Sequence, residues 1–287
     1  MLLDPFKRPV NYLRVSVTDR CDFRCQYCMA ENMKFLPKKD LLSLDEIEKI
    51  CTTFINLGTK KIRITGGEPL VRKNVMTLFK NLGKFIEQDK LSELTLTTNG
   101  SQLERYAEQL FEYGVKRVNV SIDSLKPALF KELTRRGNLE QVLRGIDKAL
   151  NVGIKVKINT VALKDTNEHE LSSILKWAHS KNSDITFIET MPLGEIEFDR
   201  TDQFLPLSKI KENLSKEFTL KSSTHYTGGP SRYFDVVETG NRVGFITPLT
   251  HNFCELCNRV RLTCTGKLYM CLGQEDSADF TNSVRSV

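Results

Sequence analysis

No run of about 18 apolar residues occurs in this chain, and its opening, MLLDPFKRPVNY, contains no apolar stretch of secretory length. The sequence therefore offers neither a membrane helix nor an export leader, and its expected address is cytoplasmic. A block of basic charge is missing too. The 42 Lys and Arg residues, with a net charge of +6, are spread along the chain, which gives nucleic-acid binding little support and suits an anionic small substrate equally well. Internal repeats and low-complexity linkers are likewise absent. What is present is a globular composition of 287 residues, 40% hydrophobic and 27% charged, long enough for one sizeable core as a single barrel or as one domain plus an extension.

Six short β-rich runs stand at wide spacing: Tyr12 to Thr18, Lys61 to Gly66, Glu93 to Asn99, Arg117 to Asp123, Lys155 to Ala162 and Asp184 to Met191. Helical patterns fill the gaps. One opens on the capping box SLDE at Ser43 and closes at Gly58, with Leu44, Ile47, Ile50, Cys51, Phe54 and Ile55 at helical spacing, so Cys51 reads as core. Others are expected over Val75 to Glu87, Gln102 to Tyr113, Leu139 to Val152 and Glu168 to Lys181. Alternation of this kind makes an α/β fold of parallel strands with right-handed crossovers, in an open sheet or a barrel. Beyond about residue 195 the pattern changes to a helix around Leu207 to Lys216, a turn at Gly228 and Gly229, and strands near Tyr233 to Val237 and Arg242 to Thr247.

Cysteine is the informative residue. In a reducing cytosol, thiols at short regular spacing are more often metal ligands than disulfide partners. Cys21, Cys25 and Cys28 form CxxxCxxC directly after the first strand, while Cys254, Cys257 and Cys271 form CxxC followed at a distance by a third Cys. Three thiolates on one loop can hold three irons of a [4Fe-4S] cube and leave the fourth iron open to a ligand. A structural zinc site would need a fourth protein ligand, and no His stands near Cys21 to supply it. At the C-terminal set zinc remains open on residues alone, with Cys264 or His251 as the fourth ligand.

With Tyr27 immediately before the third Cys, and GGEP at Gly66 to Pro69 after the second strand, the chain resembles the radical S-adenosylmethionine (SAM) enzymes. The segments LRVSVTDRCDFRCQYCM, KKIRITGGEPLVR, TLTTNG, RVNVSID, FIETMPLG and FCELCNRVRLTCTGKLYMCL resemble one branch of them, the GTP 3',8-cyclases of molybdenum cofactor biosynthesis. That resemblance runs from about residue 8 to residue 274. It implies a partial (β/α)6 TIM-like barrel over residues 1–195, and a C-terminal extension over 196–287, shortened at its end, that carries a second [4Fe-4S] cluster. It also implies chemistry in which a 5'-deoxyadenosyl radical from SAM removes the 3' hydrogen of GTP, C3' bonds to guanine C8, and one electron and one proton complete the product.

By the same resemblance the first cluster falls on Cys21, Cys25 and Cys28, and the second on Cys254, Cys257 and Cys271, its open iron reached by the guanine base. SAM contacts fall on Tyr27, Gly67, Ser121 and Met191. GTP contacts fall on Arg14, Lys61, Arg63, Thr97, Lys157, Arg259, Val260 and Arg261, a basic set suited to phosphate oxygens. Alternate residues such as Arg63 and Thr65, or Lys155 and Lys157, are expected to bring these cations to one barrel mouth. The resemblance further implies an external electron donor, a homodimer, and transfer of product to a cyclic pyranopterin monophosphate synthase. Two features depart from the pattern: Thr186 stands where an Arg is expected before FIE, and the chain stops at FTNSVRSV where such enzymes continue to a Gly-Gly end. A peptide-modifying enzyme with an auxiliary cluster, a non-catalytic relative and a plain zinc-binding module are the competing readings.

Overall fold

The computed structural model describes residues 2–4, 7–191, 202–250, 259–270 and 276–285. Its first six strands are β1 (Tyr12–Ser16), β2 (Lys61–Thr65), β3 (Glu93–Thr98), β4 (Arg117–Ser121), β5 (Lys155–Ala162) and β6 (Asp184–Glu189). They pair in sequence order, all parallel. Between them lie α1 (Leu44–Asn56), α2 (Val75–Glu87), α3 (Leu103–Glu112), α4 (Pro127–Thr134), α5 (Leu139–Asn151) and α6 (Leu171–Ser180). The six β-rich runs and the helices read from periodicity are these elements. At the start of α1, the Ser43 hydroxyl accepts from the Glu46 N–H and the Glu46 carboxylate accepts from the Ser43 N–H, completing the box that SLDE predicts.

The C-terminal third extends the same sheet at both edges. After α7 (Leu207–Leu214) come β7 (Leu220–Ser222), β8 (Arg232–Val236), β9 (Arg242–Ile246), β10 (Arg259–Leu262), β11 (Lys267–Tyr269), β12 (Ser277–Asp279) and α8 (Thr281–Arg285). β9 lies parallel to β6, β10 lies parallel to β1, and the short outer strands are antiparallel. The result is a twelve-stranded sheet whose middle eight strands are parallel and whose two ends do not pair among the described residues, so the barrel is partial.

Strand alternation divides the sheet into two faces. Leu13, Val15, Ile62, Ile64, Leu94, Leu96, Val118, Val120, Ile158, Ile185 and Phe187 turn toward the helices and form the core, each almost wholly buried. The intervening residues, among them Tyr12, Arg14, Lys61, Arg63, Thr97, Asn119, Lys157 and Thr186, turn into the lumen and are mostly polar. A polar lumen inside an apolar jacket is what a water-soluble ligand requires.

Candidate active site

The first three cysteines sit on the loop after β1, at the C-terminal ends of the parallel strands, where ligands of such sheets bind. Cys28 and Met29 both donate backbone N–H bonds to the Cys25 carbonyl, so the motif ends in a helical turn. Cys21 and Cys25 are free thiols, and Cys28 bears on the ionisation of both. Burial, with Asp22, Glu68 and Cys28 nearby, pushes Cys21 up to about 12, and burial likewise pushes Cys25 well above its usual value. Crowded thiols of this kind become thiolates only beside a strong cation, so the donor set fits an iron-sulfur cluster.

The GGEP turn is stitched to this loop. Gly67 N donates to Thr18 O and Glu68 N donates to Arg20 O, both at 2.8 Å. A Cβ on Gly67 would lie 2.4 Å from Arg20 O, and one on Gly66 would lie 2.8 Å from Thr18 O. Glycine is therefore required here for backbone to touch backbone. The resemblance implies a SAM contact at Gly67; the structure adds the cysteine loop itself as a neighbour that both glycines admit. Glu68, fully buried, accepts from Leu70 N at 3.0 Å, Thr98 Oγ1 at 2.8 Å and Asn99 N at 2.6 Å. Burial nonetheless raises its carboxyl to about 7.

Tyr27, beside Cys28, donates its hydroxyl to Asp123 Oδ2 at 2.5 Å, while Asp123 Oδ1 accepts from Val161 N at 2.8 Å. Burial lifts Asp123 to about 6. The predicted SAM residues Tyr27, Gly67, Ser121 and Met191 are all brought to the ends of their strands on this one mouth.

The predicted GTP residues are distributed differently. The expectation of one mouth gives way to a lining along the lumen, because Lys61 occupies the first register pair with Tyr12 while Thr65 pairs with Ser16 at the cysteine end. Arg14 pairs in register with Arg63 on one side and Arg261 on the other. Burial, together with Arg63, Arg261 and Arg259, brings its guanidinium down to about 10. Arg63 donates Nε to Tyr12 Oη at 2.6 Å and Nη1 to Thr97 Oγ1 at 3.1 Å. Lys157 donates to Tyr233 Oη at 2.6 Å, and burial lowers its ammonium, with Arg63 and Arg117 adding to that effect. Arg63 on β2 thus acts on Lys157 on β5 although the strands are not neighbours in the sheet. Val260 alone faces away: it pairs with Leu13 and is buried in the core, leaving only its backbone near the lumen.

Two residues that the sequence did not single out hold these cations. Tyr12 and Tyr233 offer phenol oxygens, which orient a cation without neutralising it as a carboxylate would. The signal available was alternation, since Tyr12 precedes Arg14 on the same face. Lys61 differs, pairing with Glu93 at 2.6 Å and with the Thr227 carbonyl at 2.6 Å. Around it, at the N-terminal ends of the strands, a cavity of 990 Å³ is lined by Lys61, Glu93, Arg117, Lys157, His225 and Thr227 among others. Cys254, Cys257, Cys271 and His251 lie outside the described residues. Cys264 is buried just beyond β10, with its carbonyl bonded to Leu42 N.

Comparison with known proteins agrees with this geometry. Residues 15–178 match the Radical SAM superfamily, and residues 183–287 match Molybdenum Cofactor Synthesis C. The chain is 61% identical over 285 residues to the GTP 3',8-cyclase of Sinorhizobium medicae, covering 99% of this chain and 82% of the relative. It is 61% identical over 284 residues to that of Brucella ovis, covering 99% and 83%. Among solved structures, Streptococcus suis SuiB bound to S-adenosylmethionine superposes with a TM-score of 0.65 at 16% identity, over 96% of this chain and 64% of that one. Coproporphyrinogen III oxidase (HemN) from Escherichia coli, a radical SAM enzyme, superposes with a TM-score of 0.53 at 16% identity, over 73% and 52%. These two likenesses carry the fold; the sequence matches carry the family, and the chain belongs to the radical SAM superfamily and, within it, to the GTP 3',8-cyclases.

Proposed function

We propose that the chain converts GTP to (8S)-3',8-cyclo-7,8-dihydroguanosine 5'-triphosphate, the first step of molybdenum cofactor biosynthesis. The observation that carries this reading is the lumen of oriented cations leading from the cysteine loop. Cys21, Cys25 and Cys28 would hold a [4Fe-4S] cluster, which with SAM would supply a 5'-deoxyadenosyl radical able to take the 3' hydrogen of GTP.

The chain's own residues bind and orient. Tyr27, fixed by Asp123, and Gly67, Ser121 and Met191 frame the SAM end. Arg14, Arg63, Lys157, Arg259 and Arg261 face the triphosphate, whose several negative charges offset the burial, and the lesser repulsion between cations, that lower Arg14 and Lys157. Thr97 fixes Arg63. Where an Arg was expected, Thr186 is fully buried in register with Asn159 and Gly244, and Lys157 on the neighbouring β5 is the cation of this set beside it. Lys61, tied to the Thr227 carbonyl and to Glu93, lines the cavity at the N-terminal ends of the strands and adds a cation to that side.

The same reading assigns a second [4Fe-4S] cluster to Cys254, Cys257 and Cys271, facing the guanine base, with Val260 offering backbone groups beside it. It includes an external electron donor, a homodimer and product transfer to a cyclic pyranopterin monophosphate synthase. Among the described residues no helix is long and apolar enough to cross a membrane.

The test is anaerobic equilibrium dialysis of the reconstituted protein against GTP and guanosine. GTP is expected to bind at least about tenfold more tightly, a difference of about 1.4 kcal/mol, and Arg63→Met with Lys157→Met to remove the preference. Equal affinity for the two ligands would overturn the reading.

A further inference from the structure

Asn99, just past β3, has an amide that reaches the cysteine loop. Its Nδ2 donates to Asp22 Oδ1 at 2.7 Å and to Cys21 Sγ at 3.7 Å. The other amide atom is committed as well, since Asn99 Oδ1 accepts from Ser101 N at 2.9 Å. Its backbone N–H donates to the buried Glu68, and Ser101 Oγ holds the second oxygen of Asp22 at 2.6 Å. The side chain is fixed at three points, with its donor aimed between a carboxylate and a sulfur.

We propose that Asn99 is a positioning residue for the iron-sulfur cluster, donating an N–H bond to Cys21 Sγ that raises the cluster's reduction potential. The inference rests on the reading that Cys21, Cys25 and Cys28 hold a cluster. Hydrogen bonds to ligand sulfurs withdraw charge and favour the more electron-rich, reduced state. Asp22 works in the opposite sense, placing a negative oxygen 4.0 Å from the same sulfur. The amide lies against both groups and so offsets the carboxylate while it serves the thiolate.

Two variants in the reconstituted protein separate this role from a structural one. Asn99→Asp keeps the shape and the acceptor for Ser101 N but replaces the donor with a carboxylate oxygen. Asp22→Asn removes the opposing charge. The readout is an electron-paramagnetic-resonance redox titration of the signal that changes when SAM is added. Asn99→Asp is expected to lower the reduced-to-oxidised ratio at fixed potential about tenfold, which is about 59 mV for a one-electron couple. Asp22→Asn is expected to move the ratio the other way.

Ratios within about twofold of the parent in the variants that retain iron would overturn the inference, as would a loss of iron with no shift in the clusters that form. If Asn99→Asp holds no iron, the sign of the Asp22→Asn shift decides. A parent with no SAM-responsive signal would overturn the cluster reading and this inference with it.

Discussion

Gly67→Ala places a methyl group where two loops already touch. Its Cβ would lie 2.4 Å from Arg20 O and 2.7 Å from Asp19 O, both backbone atoms that cannot swing aside as a side chain would. The loops must separate, and separation breaks the two 2.8 Å bonds from Gly67 N and Glu68 N. Each bond contributes about 1 kcal/mol net, and overpacking a closed site costs about 1–3 kcal/mol. The sum, on the order of 3–5 kcal/mol, is a large part of a typical stability of about 5–15 kcal/mol. Urea unfolding of the apoprotein and iron per chain after anaerobic reconstitution read the two consequences. Both are expected to fall, since the displaced segment leads directly into Cys21. Gly229→Ala is the control, because its Cβ meets nothing nearer than 3.7 Å. A Gly67→Ala protein within about 0.5 kcal/mol of the parent, with full iron, would refute the reasoning.

Glu68 gives a pH prediction. Its carboxyl rises from 4.5 to about 7, so between those values the native state keeps a proton that the unfolded state has lost, and stability falls as pH rises through that window. Glu68→Gln lacks that slope; urea midpoints measured across the window should show the variant gaining on the parent toward the upper end, and a constant difference would contradict the assignment. Tyr12→Phe removes the acceptor of the 2.6 Å bond from Arg63, a bond to a charged group worth about 1.5–3 kcal/mol. Steady-state kinetics should show KM for GTP up roughly tenfold with kcat little changed; a fall in kcat at unaltered KM would count against a binding role. Ser43→Ala removes the hydroxyl half of the α1 capping box and should cost about 1 kcal/mol in urea unfolding with no effect on iron content.

The central six strands and their helices were legible because each carries its own periodicity and punctuation, as Ser43 and Gly58 do around α1. The helix α4 went unread although Pro127 at its first turn signals a start. Of its eight residues only Phe130, Leu133 and Thr134 are buried, a shorter apolar repeat than Leu207, Ile210 and Leu214 give the equally short α7. The placement of β10 beside β1 was beyond local reading, since Tyr12 and Arg259 are paired across most of the chain by tertiary packing alone. At the site, the cysteine spacing, GGEP and the basic residues were visible because their chemistry is unusual in a strand or loop. Tyr12 and Tyr233 were not, because a tyrosine in a strand ordinarily reads as filling, and only the fold shows its hydroxyl meeting a cation. Asn99 stood within TLTTNG, but its sulfur partner lies 78 residues away.

The most direct test of the account is reaction of the anaerobically reconstituted protein with SAM, dithionite and GTP deuterated at C3', with mass analysis of the 5'-deoxyadenosine and chromatographic separation of the cyclised nucleotide. The account predicts singly deuterated 5'-deoxyadenosine formed together with cyclised nucleotide, since the 3' hydrogen passes to the adenosyl carbon. Undeuterated 5'-deoxyadenosine with GTP returned unchanged, or no 5'-deoxyadenosine at all, would contradict it.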